Sequence, residues 1–204
     1  MSRPFLVVMA GGSASGKTTV AAGLAEDGDV LLISHDRYYR DAPDPATYNF
    51  DHPNSLETSL LVSQVQTLLD GDSVELPVYG FEGHRRAPHT HRVGPRPILL
   101  VEGILTLENA DLAALADLRV YVHAAPDVRL ARRVLRDVAQ RGRQLEGVVQ
   151  RYLEHVRPMH DQHVEPSRAE ADLTLNGECP PDSLIAELRR VIEARQAHHT
   201  AQPR

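Results

Sequence analysis

Three features of the sequence predict an α/β fold with a mostly parallel sheet flanked by helices. Short runs rich in branched apolar residues alternate with helix-length segments, the rhythm of strand–helix–strand crossovers. A glycine-rich run separates the first apolar run from the first helical one. The composition, 42% apolar and 25% charged over 204 residues, is that of a globular chain with enough apolar residues for a full core.

In chain order, the first strand is expected at residues 5–10 (FLVVMA), a run too short for a signal-peptide core and followed by no small-residue cleavage pattern. A helix over 16–25 opens out of the glycines, and a second strand covers 30–34. The next helix is expected over 56–69 with Asn54 or Ser55 as its cap. Further strands are expected at 98–101, 119–123 and 172–175, with helices at 127–141, from 145 to about 161, and at 181–197. Residues 37–53 and 76–97, rich in Pro, Asp, His and Gly, meet strand ends, where open α/β sheets bind ligands, and are read as functional loops. The polar tail 198–204 is expected to fray, and no internal repeat is found.

Several function classes drop out on composition. The formal charge of −6 gives no basic surplus for wrapping nucleic acid. No apolar stretch is long enough to cross a bilayer. The single cysteine, Cys179, cannot form an internal disulfide, which agrees with a reducing cytoplasm. Eleven histidines include the pairs His89/His91 and His160/His163, but no cysteine or clear carboxylate completes a tetrahedral zinc set.

Lys17 is the only lysine among 22 basic residues, so a chain that otherwise uses arginine keeps a compact ammonium at one place. That place is Gly11-Gly12-Ser13-Ala14-Ser15-Gly16-Lys17-Thr18, which fits G-x-x-x-x-G-K-[ST] between a strand and a helix. Glycines let successive N–H groups turn inward around phosphate oxygens, the helix N-terminus adds positive potential, Lys17 reaches the outer phosphates, and Thr18 offers a hydroxyl to Mg2+. With Thr19 beside it, this is the expected site of a nucleotide and gives the chain a P-loop NTPase fold. Glu102 at the end of the third strand is the expected second Mg2+ ligand, although nucleotide hydrolases usually carry Asp there and a solvated strand-end carboxylate is the alternative.

Asp36, just past the second strand, can face the phosphates and accept a hydroxyl proton, or serve as a turn former. Arg129, Arg132, Arg133 and Arg136 fall at i, i+3, i+4 and i+7, so one helical face carries four mutually repelling cations. Such a face suits an anion-binding lid, with Arg141 and Arg143 at its far end; self-pairing through Asp127, Asp137 and Glu146 is the alternative.

The string from Ser34 to Arg40, then Tyr48-Asn49-Phe50-Asp51-His52-Pro53, then Leu76-Pro77-Val78-Tyr79 with His84, resembles the uridine/cytidine kinase family. So do Val101-Glu102-Gly103-Ile104-Leu105, the RRVLRD and RGR strings within 129–145, and the VRPMH string ending at His160 with Glu165-Pro166-Ser167 behind it. The resemblance implies a cytoplasmic enzyme of pyrimidine salvage that uses ATP or GTP with Mg2+ to phosphorylate uridine and cytidine at the 5′-hydroxyl. It implies one kinase domain over 1–204 with nucleoside-binding insertions at about 37–53 and 76–97, the latter a small β-hairpin/loop region, and a lid at about 127–145. It also implies a homo-oligomer, commonly a tetramer. Carried over by motif, Asp36 is the base, Lys17, Arg133 and Arg136 act on the transferred group, and Asp51 holds ribose hydroxyls. Tyr39, Phe50, Arg133 and Arg143 complete the substrate site, while Tyr79, Phe81 and His84 sandwich and read the base; core packing is the plain alternative for Tyr79 and Phe81. An aromatic face stacks a pyrimidine, and neutral imidazole both donates and accepts.

Three departures from the family stand out: a shorter loop between Arg40 and Asn49, Gly80 where Asp is common, and Asn176-Gly177-Glu178 in place of Pro-Arg-Gly-Gly. The alternatives left open are a related kinase for another ribosyl compound or sugar phosphate, and a nucleotide-binding switch without transfer activity.

Overall fold

In the computed structural model, which describes residues 3–42 and 44–201 without the side chains of Asp27 and residues 198–201, the chain runs in the expected alternation. The order is β1 (Phe5–Ala10), α1 (Lys17–Leu24), β2 (Val30–Ser34), α2 (Thr58–Leu69), β3 (Val74–Gly80), β4 (Arg85–Val93), β5 (Ile98–Glu102) and α3 (Ala110–Leu115). It continues through β6 (Leu118–His123), α4 (Pro126–Arg141), α5 (Leu145–Arg151), α6 (Arg157–Met159), β7 (Leu173–Asn176) and α7 (Pro181–Ala201).

Every residue of β1 and β5 is buried, which only a sheet covered on both faces allows. The five-stranded sheet has the order β2-β5-β1-β6-β7 with every pairing parallel. The period-two pleat divides β1 between two cores. Leu6, Val8 and Ala10 face the layer of α2 and α3, whereas Phe5, Val7 and Met9 face the layer of α1 and α7. The chain leaves β1 toward β2 on one side and later reaches β6 and β7 on the other, so the β1–α1 loop opens at the switch point of the sheet.

Three local expectations need correction. The helix expected from Leu56 starts at Thr58, because Leu56 is extended, buried and bridged to Tyr39. Neither proposed cap acts on α2: the Asn54 amide donates to His52 Nδ1, and Ser55 Oγ donates to the Phe50 carbonyl. The β-hairpin expected within 76–97 is present as antiparallel β3–β4, with a register shift between Pro77 and Tyr79. The helix expected from 145 to about 161 is α5 followed by a π turn (Tyr152–Val156), α6, and a second π turn (His160–Val164). Helix α3 was not anticipated; Asn109 caps it by accepting from the Leu112 amide. Of the tail expected to fray, the backbone of α7 continues to Ala201, and the residues beyond lie outside the described set.

The turn after β7 presses on the glycine-rich loop. Gly177 donates to the His123 carbonyl at 2.7 Å, and a Cβ on Gly177 would overlap the Ser15 carbonyl oxygen and reach within 3.0 Å of the His123 one. Both obstacles are backbone and cannot swing aside. Gly177→Ala should therefore cost about 1–3 kcal/mol by overpacking. At roughly 2–4 °C per kcal/mol for a chain of this size, it should lower the melting temperature by about 2–12 °C. An unchanged melting temperature would show that this turn has room to spare.

Candidate active site

The β1–α1 loop enters its helix through Gly16 at φ +102°, a left-handed conformation that favours glycine, and Ala14 holds φ +65° without that freedom. Lys17 and Thr18 then point toward the carboxyl edge of the sheet. There Glu102, only 3% exposed, accepts from Ser34 Oγ at 2.9 Å and from Thr18 Oγ1 at 3.1 Å, with Lys17 Nζ at 3.6 Å. Thr18 hydroxyl and Glu102 carboxylate oxygens are hard donors side by side at a strand edge, a set whose chemistry fits Mg2+. Among the described residues no group of three or more His, Cys, Asp or Glu side chains is arranged to hold a metal.

Asp36 sits in the short turn His35–Tyr38 after β2. Two buried neighbours fix that turn: the ring of His35 lies 3.1 Å from Thr58 Oγ1, and Tyr38 donates to Gln64 Oε1 at 2.7 Å. Burial drives the His35 pKa down to about 4, so the ring is neutral near pH 7. Burial also pushes the Asp36 carboxyl up to about 6, helped by the charge of Glu102 and opposed by Lys17. Asp51 is likewise raised by burial, with Arg133 and Arg151 opposing.

An aromatic cluster walls the other end of the cleft. Tyr39 meets Phe50 edge-on at 5.6 Å and Tyr79 at 5.5 Å, while Tyr79 meets Phe81 edge-on at 5.3 Å. His84 lies 4.9 Å from Phe50 with its ring tilted by 35°, and its backbone has φ +48°. Tyr79 is buried, but Phe81 is 59% exposed at the rim, so core packing does not account for Phe81.

Helix α4 is inverted: its buried residues are Arg129, Arg133 and Asp137, whereas Leu135 is 70% exposed. Asp137 is fully buried and accepts from Arg136 at 2.9 Å and Arg143 at 3.0 Å, with Arg141 at 3.3 Å and Arg133 at 3.9 Å. Those arginines hold it below the ordinary carboxylate range although burial acts the other way. Arg133 also donates to Ser13 Oγ at 2.8 Å, and Arg132 to the Gly177 carbonyl at 2.8 Å, which tie α4 to the glycine-rich loop and to the turn after β7. The expected four-arginine face is corrected at Arg129. That residue is buried behind the loop, donates to the Ala124 carbonyl at 3.1 Å, and lies so close to Gly12 that a Cβ there would come within 2.6 Å of its guanidinium.

One cleft of about 850 Å3 brings most of these groups together. Of the residues singled out in the sequence, Ser13, Ala14, Gly16, Lys17, Thr18, Thr19 and Glu102 line its nucleotide-loop end. Asp36, Tyr39, Phe50, Asp51, Tyr79, Phe81 and His84 line the rest, under Arg133, Arg136 and Arg143. Gly11, Gly12 and Ser15 do not line it; all three are buried at the back of the loop. Sequence reasoning missed Ser34, Arg151 and Cys179 as cleft residues. A hydroxyl at a strand end two residues before Asp36 was a usable signal for Ser34. Nothing local marked Arg151, which reads as one more cation on a helix.

A sequence profile of the Phosphoribulokinase / Uridine kinase family matches residues 32–180. A Clostridium botulinum (strain Okra) uridine kinase is 37% identical over 205 residues, covering 95% of this chain and all of that protein. A Brevibacillus brevis uridine kinase is 42% identical over 183 residues, 86% of each chain. Among solved structures, a protein assigned as a fructose transport system kinase from Silicibacter sp. TM1040 superposes with a TM-score of 0.69. That match is 21% identical, covers 85% of this chain and 90% of the other, and bears on the fold.

The crowding of carboxylates has a measurable consequence. Asp36 binds its proton more tightly in the folded chain, at about 6, than in the unfolded one, near 3.9. Folding therefore loses stability as pH rises between those values, and the loss is complete above the upper one. Asp36→Asn should stabilise the ligand-free protein at pH 7.5 by on the order of 1 kcal/mol once solvent screening is allowed for, and should have little effect at pH 4. Melting curves at the two pH values check this; an equal shift at both, or destabilisation at pH 7.5, would contradict it.

Proposed function

The chain belongs to the phosphoribulokinase/uridine kinase family, and from that premise we propose that it transfers the γ-phosphoryl group of ATP or GTP to the 5′-hydroxyl of uridine and cytidine. The observation that carries the proposal is the shared cleft: Asp36 lines the same 850 Å3 space as Lys17, with an aromatic wall on the far side. A hydroxyl lodged between those ends lies within reach of both the base and the phosphates.

In this reading the loop from Ser13 to Thr19 holds the donor, with Lys17 on the outer phosphates. Thr18 and Glu102 would hold Mg2+, which when bound offsets the negative charge of the phosphates. Asp36 orients the acceptor hydroxyl and takes its proton, and its elevated pKa suits a base working near neutrality. Arg133 and Arg136 face the transferred group, and Asp137 keeps them extended until an anion arrives. Asp51 takes the ribose hydroxyls, beside Tyr39, Phe50 and Arg143. Tyr79 and Phe81 flank the base, and His84 reads it. Burial and the charges of Arg143 and Arg151 lower the His84 pKa, so the ring is neutral and can donate to the O4 of uracil or accept from the amino group of cytosine. Residues 1–204 form a single kinase domain in this reading, with the lid at about 127–145.

The direct test is to incubate the protein with ATP, magnesium and a panel of nucleosides, sugars and sugar phosphates, and to look for phosphorylated products. Uridine and cytidine should both yield monophosphates, and transfer only to a sugar or sugar phosphate would overturn the assignment. Lys17→Arg should abolish most transfer while the fold survives, because the planar fork does not fit a loop shaped around one ammonium. The same Asp36→Asn variant that gains stability should lose about a hundredfold or more in turnover.

For base recognition, His84→Tyr adds bulk in a half-buried pocket where one mismatched polar contact costs about 1–3 kcal/mol. Values of kcat/KM should fall for both nucleosides, and further for uridine than for cytidine. An unchanged ratio would remove His84 from base recognition.

A further inference from the structure

Arg151 closes α5 at the edge of the cleft, where it reaches across to the segment before Asp51. One of its terminal nitrogens donates to three carbonyls of that segment, Pro45 at 2.8 Å, Tyr48 at 3.1 Å and Ala46 at 3.2 Å. Its guanidinium also lies 5.7 Å over the Phe50 ring, whose neighbourhood includes His84. Phe50, at the end of the segment, is also held from outside it, by Ser55 Oγ donating to its carbonyl at 2.9 Å and by the rings of Tyr39 and His84. Asp44 closes a local turn by accepting from the Ala46 and Tyr48 amides and the Thr47 hydroxyl, but these bonds stay within the loop.

We propose that Arg151 is a positioning residue that pins the 44–50 loop to α5, and so fixes Phe50 and Asp51 as one wall of the acceptor site. A guanidinium suits the task because its donors lie in a rigid plane that can serve several carbonyls and stack on a ring at once. Charge-assisted bonds of this kind are about twice as strong as neutral ones, so their loss frees the loop without unfolding the sheet. Helix α5 follows directly on the Arg141–Arg143 turn, so the pin also makes the acceptor wall move with the arginine lid. The donor site, formed by the β1–α1 loop at the other end of the cleft, has no such tie to Arg151. Its loss should therefore be felt by the acceptor and not by the nucleotide.

The kinetic part of the test rests on the nucleoside kinase reading, and the exchange part does not. Arg151→Met keeps the apolar stem and removes the donors. In hydrogen exchange of the ligand-free protein, amides of residues 44–51 should exchange at least about tenfold faster than in the wild type, with β1 and β5 unchanged. In assays, KM for uridine should rise about tenfold or more while KM for ATP and kcat stay within about threefold. If Arg151→Met does not fold, Arg151→Gln carries the same measurements. Unchanged exchange over 44–51, or an equal rise in both KM values, overturns the proposal. A wild-type protein inactive on uridine would instead defeat the function assigned above, and the exchange result would still decide the role of Arg151.

Discussion

A buried carboxylate at the end of the central sheet sets the terms for everything around it. Glu102 lies opposite Met9 of β1 and Ser34 of β2 in the strand register, so three strand ends meet at one acidic side chain. An ionised carboxylate removed from water costs several kcal/mol unless donors surround it. The hydroxyls of Ser34 and Thr18 and the ammonium of Lys17 supply those donors, and in doing so they set the relative positions of β2, β5 and the start of α1. A slip of one residue in β5 would bring Val101 to that edge and leave the hydroxyls and the ammonium without their acceptor. The elevated pKa of Asp36 is a second consequence of the same charge, since Glu102 stands next to burial among its causes.

Helix α4 answers with the opposite charge. Four guanidinium groups face one buried carboxylate, so the cluster keeps a positive surplus directly over the cleft, in a chain whose formal charge is −6. Low-dielectric walls concentrate such a field and draw anions toward it. Asp137 has the second task of spacing cations that would otherwise repel. The arginines around Asp137 are paired with it and also line the cleft, whereas Arg129 wedges behind Gly12 and does not line it.

The parallel sheet was legible because its strands are continuous apolar runs, and the nucleotide loop because its spacing carries its own mechanism. The hairpin β3–β4 was harder to read. Its second strand is mostly exposed, so no apolar alternation marks Arg85–Val93. The start of α2 was misjudged because Leu56, apolar and well placed for a helix, is taken by the bridge to Tyr39. The π turns at Tyr152–Val156 and His160–Val164 leave no signature in residue periodicity at this length. In the site, groups defined by their chemistry stood out, Lys17, Thr18 and Asp36 among them. Arg151 did not, since its value lies in three backbone carbonyls about a hundred residues earlier in the chain, a relation that no local pattern encodes.

Backbone conformation adds an argument that owes nothing to motif. Among the described residues, Ala14 and His84 are the non-glycine residues with positive φ, and both line the cleft, one in the nucleotide loop and one on the aromatic wall. A side chain in that region costs on the order of 1 kcal/mol, and such residues persist where surrounding structure over-determines them. The reason at Ala14 is a loop whose amides must turn inward. At His84 it is the reversal between β3 and β4, where the His84 carbonyl accepts from the Ala42 amide at 3.1 Å and the imidazole lies against Phe50. Strain thus falls at two places on the lining of one cavity that a rigid sheet supports. It marks two ends of the cleft without reference to any resemblance.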